Sequence, residues 1–364
     1  MEFNDVRLRC ESLREEIDAA VSRVLRGGRY ILGPDVDAFE EDFARYCHAA
    51  NGIALASGTD ALMIGLRAFG VESGDEVLVP AVSAPATATA VALVGAKPVF
   101  VDVSSETFNI HPELVSDRRT SRVKAVVPVH LYGMPAPLKE ISRLGIPILE
   151  DSAQAHGSDA SWGRCGSFGL AAAFSFYPTK NLGTYGDGGM LVTSDAAIAE
   201  RARLLRNYGQ RENFSCEMVG HNSRLDELHA AILRVALKSL NDWNRRRREI
   251  AAIYREEFKN LPITMQAQTG NSNYHIFAIT VVDRDKLRAH LAEKNIPTLI
   301  HYPLPLHRQK AFAEFNPSRC PNADVLCSRV LSLPMHAFLT DGEVARVIEG
   351  VSSFYKRRRA TKAD

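Results

Sequence analysis

Apolar positions along the chain repeat in two rhythms, and their alternation predicts the architecture. A short apolar run lies at 53–56 (IALA), and β-branched runs closed by Pro, Gly or Asp recur within GDEVLVP (74–80), GAKPVFVDV (95–103), VKAVVPVHLYG (123–133) and GIPILED (145–151). Stretches of helical period lie between them. Such a βαβα order places mostly parallel strands in one sheet with helices on both faces. Ahead of it, residues 11–26 follow a helical period that ends at Gly27-Gly28. A second helix is predicted from about Pro34 to Tyr46, with Phe39 and Phe43 four apart on one face.

From Arg224 to Lys259 the pattern turns long and helical, which reads as a bridge out of a large α/β domain. The style then changes. YHIFAITV (274–281) predicts a strand, DRDKLRAHLAEKN (283–295) a helix, and a last helix begins at about Asp341. The expected organisation is a large α/β domain with N-terminal helices over 1–240 and a small α+β domain over 241–364. The run Arg245–Arg248 reads as a solvated or dimer-facing stripe, and the tail KRRRATKAD (356–364) as disordered.

Charge and cysteine content narrow the classes. The net charge is +1, from 44 Lys+Arg against 43 Asp+Glu, which argues against a nucleic-acid binder or a polybasic membrane protein. The charged N-terminus has no apolar signal core, and no stretch of 18 apolar residues exists. Six cysteines form no CxxC pair, so reduced thiols and a cytoplasmic location are expected, with no metal site.

Candidate chemistry gathers at residues 171–190, AAAFSFYPTKNLGTYGDGGM. A buried strand ends at Pro178, Lys180 follows in a polar turn, and GTYGDGG then carries four glycines in seven residues. Desolvation there would lower the lysine pKa and free its amine to attack a carbonyl; alone, the same residue reads as an ordinary loop lysine. Ser57-Gly58-Thr59 joins a strand to a helix start, which suits either a plain N-cap or an anion such as phosphate. Asp151 stands at the carboxyl end of a strand, where ligands lie in such sheets, although a helix cap is the alternative. A lysine, a strand-end aspartate, a phosphate-ready helix start and the Ser175 hydroxyl are the parts a pyridoxal phosphate enzyme needs.

The motifs SGTDAL (57–62), EDSAQAHG (150–157), SFYPTKNLGTYGDGG (175–189) and GHNSRLDELHAA (220–231) resemble the DegT family of nucleotide-sugar aminotransferases, within the aspartate-aminotransferase fold type I superfamily. LNDWNRRRREIAAIY (240–254), TLIHYPLPLHRQKAF (298–312) and LSLP (331–334) are similar to the subgroup that aminates C3 of dTDP-3-keto-6-deoxyhexoses. The resemblance implies that Lys180 binds pyridoxal 5'-phosphate as an imine and shuttles the proton. It implies Asp151 as partner of the pyridine nitrogen, Gln154 near the phenolic oxygen, and Gly58, Thr59 and Ser175 in the phosphate cradle. Asn222 would reach the phosphate of a neighbouring subunit, in a homodimer with shared active sites. Tyr185 and, from its HYP motif, His301 are candidate substrate contacts. The implied reaction moves nitrogen from L-glutamate to a dTDP-linked keto-deoxysugar, for lipopolysaccharide or an antibiotic sugar. Amination of C4, or a non-catalytic regulatory protein that binds the cofactor, are the alternatives.

The sequence departs from the family at three places. Ala84 stands where many members stack an aromatic on the cofactor ring. Asn213 and Phe214 stand where the 3-amino subgroup often has a basic residue and a tyrosine, which leaves Arg211 as a candidate for the nucleotide phosphates. His221 occupies a variable position beside Asn222.

Overall fold

The computed structural model describes residues 1–212, 214–315 and 319–360. Its centre is a run of seven strands: β1 (Asn51–Leu55), β2 (Glu76–Pro80), β3 (Lys97–Val101), β4 (Val123–Val126), β5 (Leu149–Asp151), β6 (Ala171–Ser175) and β7 (Gly189–Thr193). β2 pairs in parallel with β3 and β4, and β5 in parallel with β6. Parallel bridges Val126–Ile148 and Val129–Asp151 carry the sheet from β4 to β5. β7 runs antiparallel to both β6 and β1, so the order is β3-β2-β4-β5-β6-β7-β1. The predicted mostly parallel sheet is therefore present, with β7 as the reversed strand. Near-continuous burial along these strands matches a sheet covered on both faces.

Helices α1 (Val6–Ser12), α2 (Arg14–Gly27) and α3 (Pro34–Tyr46) precede the sheet. The expected helix over 11–26 is thus two helices, broken at Leu13, whose φ of −127° leaves the helical region. Asp5 caps α1 by accepting the Arg7 and Leu8 N–H groups. Gly28, left-handed at φ 68°, ends α2 as the Gly-Gly pair predicted. α3 has the predicted bounds, and the buried Glu227 carboxylate satisfies its free N–H groups at Gly33, Asp35 and Val36. Phe39 and Phe43 pack edge-on against Phe176 and Phe174, which fixes α3 beneath β6.

The bridging pattern is also two helices, α6 (Glu227–Leu237) and α7 (Leu240–Phe258). The arginine run on α7 is not uniformly solvated. Arg247 is buried and donates to the carbonyls of Tyr274 and Met335, whereas Arg245 and Arg246 pair with Asp242 and Asp341. The C-terminal part holds an antiparallel sheet, β8 (Thr264–Met265), β9 (Phe277–Thr280) and β10 (Val330–Leu333), around Tyr254, Phe258, Leu287 and Val347. The last helix, α8, runs from Asp341 to Ala360, so Lys356–Ala360 of the expected disordered tail are helical. Residues 361–364 and Asn213 lie outside the described residues. Among the described residues the six cysteines are free, no metal-ligating cluster exists, and no helix is long and apolar enough to cross a membrane.

Candidate active site

Three chain segments converge at the carboxyl end of β6. Ser57 is extended (φ −157°) and caps α4 (Gly58–Ala68) through its hydroxyl, which accepts the Asp60 N–H at 3.1 Å. A Cβ added to Gly58 would lie 2.6 Å from the Cβ of Ser175, and one added to Gly189 would lie 2.2 Å from the Ser57 carbonyl oxygen. Only glycines let the helix start, the end of β6 and the start of β7 approach this closely. The N–H groups at the start of α4 and the Ser175 hydroxyl therefore lie side by side. Gly58, Thr59 and Ser175 are all partly exposed there. The cap is present, and because Ser57 uses one N–H the first helical turn leaves others without an intrahelical partner, as an anion site would need.

The strand alternation of β5 separates two carboxylates. Glu150 faces away and is spent on structure, accepting the N–H groups of Gly166, Phe168 and Gly169 and bonding His130 Nε2 at 2.9 Å. Asp151 points the other way and is 4% exposed. The Thr87 hydroxyl, on α5 (Pro85–Leu93), donates to Asp151 Oδ2 at 2.7 Å, and the Ala153 N–H reaches Oδ1 at 3.2 Å. Ser83 bonds Thr87 in turn at 2.8 Å. Burial pushes the Asp151 carboxyl above its ordinary value, against the opposing pull of Thr87, Ala153, Lys180 and His130. A buried carboxylate with only two neutral donors has capacity for a cationic N–H.

Lys180 sits one turn after β6, where its backbone N–H closes onto the Tyr177 carbonyl at 2.9 Å. Burial lowers its pKa to about 8, and only Asp151 acts to raise it. His156 and His301 are driven down to about 3 and about 4 by burial and then by the Lys180 charge. Both imidazoles are thus disfavoured from carrying a charge beside that of the lysine. Gln154 is fixed at both ends, accepting the Tyr132 N–H at 2.7 Å and donating to the Tyr302 hydroxyl at 3.3 Å. This donor set fits pyridoxal phosphate: an anion seat, a buried carboxylate for a ring N–H, and a lysine of lowered basicity within electrostatic reach of that carboxylate.

The remaining predicted residues lie at differing distances from this centre. His301 joins it electrostatically and is held by a hydrogen bond between Nδ1 and Ser332 Oγ at 2.9 Å, while its carbonyl accepts from Tyr132. Tyr185 is 38% exposed, with its ring 5.9 Å from the Arg9 guanidinium. Asn222 is exposed and bridged to Asn207, with no hydrogen bond to Ser175 or Thr59. Its neighbour Ser223 ties this segment to α4 by donating to Asp60 at 2.7 Å. His221 is taken up by Arg67 at 2.8 Å. Arg211 is held by Glu200 and Glu217, so a nucleotide would have to displace both. Phe214 is 95% exposed. Ala84 caps α5 and is partly exposed. Thr87 and Tyr302 were not singled out from the sequence. Their signals were present: Ser83 and Thr87 stand four apart across a helix start, and Tyr302 lies inside the HYP motif.

Residues 11–352 match the model of the DegT/DnrJ/EryC1/StrS aminotransferase family. The chain is 43% identical to a dTDP-3-amino-3,4,6-trideoxy-alpha-D-glucose transaminase of Streptomyces venezuelae, over 98% of this chain and 96% of that protein. It is 44% identical to a dTDP-3-amino-3,6-dideoxy-alpha-D-galactopyranose transaminase of Aneurinibacillus thermoaerophilus, over 97% and 99%. The crystal structure of S. venezuelae DesV in complex with a ketimine intermediate superposes with a TM-score of 0.94 at 43% identity, covering 97% of this chain and 98% of that one.

Proposed function

The chain belongs to the DegT/DnrJ/EryC1/StrS aminotransferase family, and from that premise we propose that this pyridoxal phosphate-dependent enzyme aminates C3 of a dTDP-3-keto-6-deoxyhexose. The product is the 3-amino-3,6-dideoxyhexose, and L-glutamate is the donor. The observation that carries the chemistry is the meeting of Lys180, Asp151 and the Gly58–Ser175 contact at the carboxyl ends of β5 and β6. The choice of C3 rests on the two 3-amino-sugar transaminases at 43% and 44% identity, matched over nearly their whole length.

Bound at these strand ends, pyridoxal phosphate would supply the electron sink that makes the donor's α-proton acidic. The chain's own groups do the rest. The first N–H groups of α4, with Thr59 and Ser175, hold the phosphate dianion, which the helix N-terminus favours. Asp151, kept in place by Thr87, holds a proton on the ring nitrogen. Gln154 orients the phenolic edge. Lys180 Nζ anchors the group and then moves the α-proton, which its lowered pKa suits near neutral pH. His301 and Tyr185 are the proposed substrate contacts.

The protein is further read as a cytoplasmic homodimer, with residues 1–240 as the large domain and 241–364 as the small one. Exposed apolar side chains support the dimer: Tyr30, Ile31, Tyr208, Phe214 and Val219 are 38–95% exposed. They cluster along the segments that bridge Ile31 to Asp226 and Asn207 to Asn222. Offered a dTDP-3-keto-6-deoxyhexose and its 4-keto isomer with L-glutamate, the enzyme should aminate the 3-keto sugar by more than about a hundred-fold in kcat/KM. NMR of the product locates the nitrogen, and nitrogen on C4 would reverse the assignment.

A further inference from the structure

The turn that carries Lys180 is held from the N-terminal end of the chain. Three successive carbonyls, those of Pro178, Thr179 and Lys180, accept hydrogen bonds from side chains of residues 4 and 9. Arg9 Nη2 donates to Pro178 O at 2.8 Å, Asn4 Nδ2 to Thr179 O at 3.0 Å, and Arg9 Nη1 to Lys180 O at 3.0 Å. Arg9 is only 6% exposed, and among the described residues no carboxylate pairs with it. Burial lowers its pKa, so the fold tolerates a desolvated cation at this point. Asp5 caps the helix that presents Arg9, and Phe3 and the terminal amine reach His301 and Glu343 in the C-terminal half. On the other side of Lys180, Asn181 is held by Asn244, Asn273 and His275. The lysine backbone is thus fixed on both flanks, while its side chain carries the amine.

We propose that Asn4 and Arg9 are positioning residues for Lys180, setting the place and hydration of its amine through the carbonyls of its turn. The proposal rests on Lys180 being the reactive lysine. A guanidinium suits the task because its planar fork presents N–H donors to two carbonyls in a fixed geometry, whereas an ammonium is a flexible point charge. The competing account is that Arg9 only satisfies buried carbonyls of an irregular turn and so acts on stability alone.

The test uses Arg9→Met, Arg9→Lys and Asn4→Ala. In the apoprotein, Lys180 is converted to its 13C-dimethyl form and titrated by NMR. Loosening the turn admits water, so in Arg9→Met the midpoint should rise from near 8 toward the ordinary 10.5. In the loaded enzyme kcat should fall by about ten- to a hundred-fold with KM for the sugar nucleotide within about two-fold, since a small misplacement of a catalytic group has that effect. The isotope effect with α-deuterated glutamate should rise. Arg9→Lys should restore thermal stability more than it restores the titration, and Asn4→Ala should shift the same readouts in the same direction by less. Asn4→Ala, which removes one exposed hydrogen bond, also keeps the test open if Arg9→Met does not fold. Borohydride reduction of the wild-type holoenzyme and peptide mapping separates the two levels of the argument. Label on another lysine overturns the assignment of Lys180 itself. Label on Lys180, with titration and isotope effect in the variants equal to wild type, overturns the positioning role and leaves Arg9 a structural residue.

Discussion

Asp151 and Lys180 are each placed where their charged form is disfavoured, and each depends on the other. The aspartate is the more instructive of the two because its neighbours explain what the sequence left open. A strand-end carboxylate reads as a site residue first, with a helix cap as the alternative. In the fold Glu150 takes the structural hydrogen bonds of three backbone N–H groups, whereas Asp151 accepts from the Thr87 hydroxyl and, as a local turn contact, from the Ala153 N–H. The folded apoprotein holds the Asp151 proton more tightly than the unfolded chain does, because its pKa is raised above 3.8. Wild-type stability contributed by this group is therefore fully present below pH 3.8 and is lost as pH rises through the folded pKa. Asp151→Asn carries no such penalty. The melting temperature of the apo variant should equal or exceed that of wild type at pH 7, with the gap closing as pH falls toward 4. Turnover should fall by at least about a hundred-fold, because an amide cannot hold the ring proton. Calorimetry across pH with a parallel rate assay checks both. Near-normal turnover would show that the carboxylate has another task.

At the scale of elements, the parts legible in the sequence were those with a strong local signal. Pro34 and the Phe39–Phe43 pair delimit α3, and the β-branched runs mark β2 to β5. The breaks at Leu13 and at 238–239 were not legible, because apolar periodicity continues across both and neither carries Gly or Pro. The Lys180, Asp151 and Ser57-Gly58-Thr59 elements were readable as separate fragments. Their convergence comes from the sheet order, which no fragment encodes alone. Thr87, Asn4 and Arg9 escaped notice because each acts through a residue remote in sequence. The convergence itself is open to test at Gly58. Alanine there gains helix propensity of up to ~1 kcal/mol, yet its Cβ would meet Ser175 at 2.6 Å. That neighbour is a strand residue rather than the end of a flexible chain, so the helix start must withdraw from it. Gly58→Ala should therefore raise the Kd of the apoprotein for pyridoxal phosphate by about ten-fold or more, about 1.4 kcal/mol. Spectroscopic titration measures it, and a Kd within two-fold of wild type would mean that the phosphate is held elsewhere.

For the whole molecule the open question is whether one chain completes a site. Within a single chain Asn222 is exposed and lies among solvent-facing apolar residues, and it makes no hydrogen bond to Ser175 or Thr59. Those facts fit a residue that faces a second copy. Asn222→Ala is a gentle probe, since losing one hydrogen bond to a charged group costs roughly 1.5–3 kcal/mol. Asn222→Asp is sharper because it sets an anion against the phosphate. Lys180→Ala and Asn222→Asp should each be nearly inactive alone. If sites are shared, a mixed dimer collects both lesions in one site and leaves the other intact. Roughly half of randomly reassembled dimers are mixed, and each has one good site of two, so activity should recover to about a quarter of wild type. Co-refolded mixtures, with exchange verified by pull-down of differently tagged chains, provide the measurement. Exchange without recovery would place Asn222 in the service of its own subunit, and each protomer would then hold a complete site.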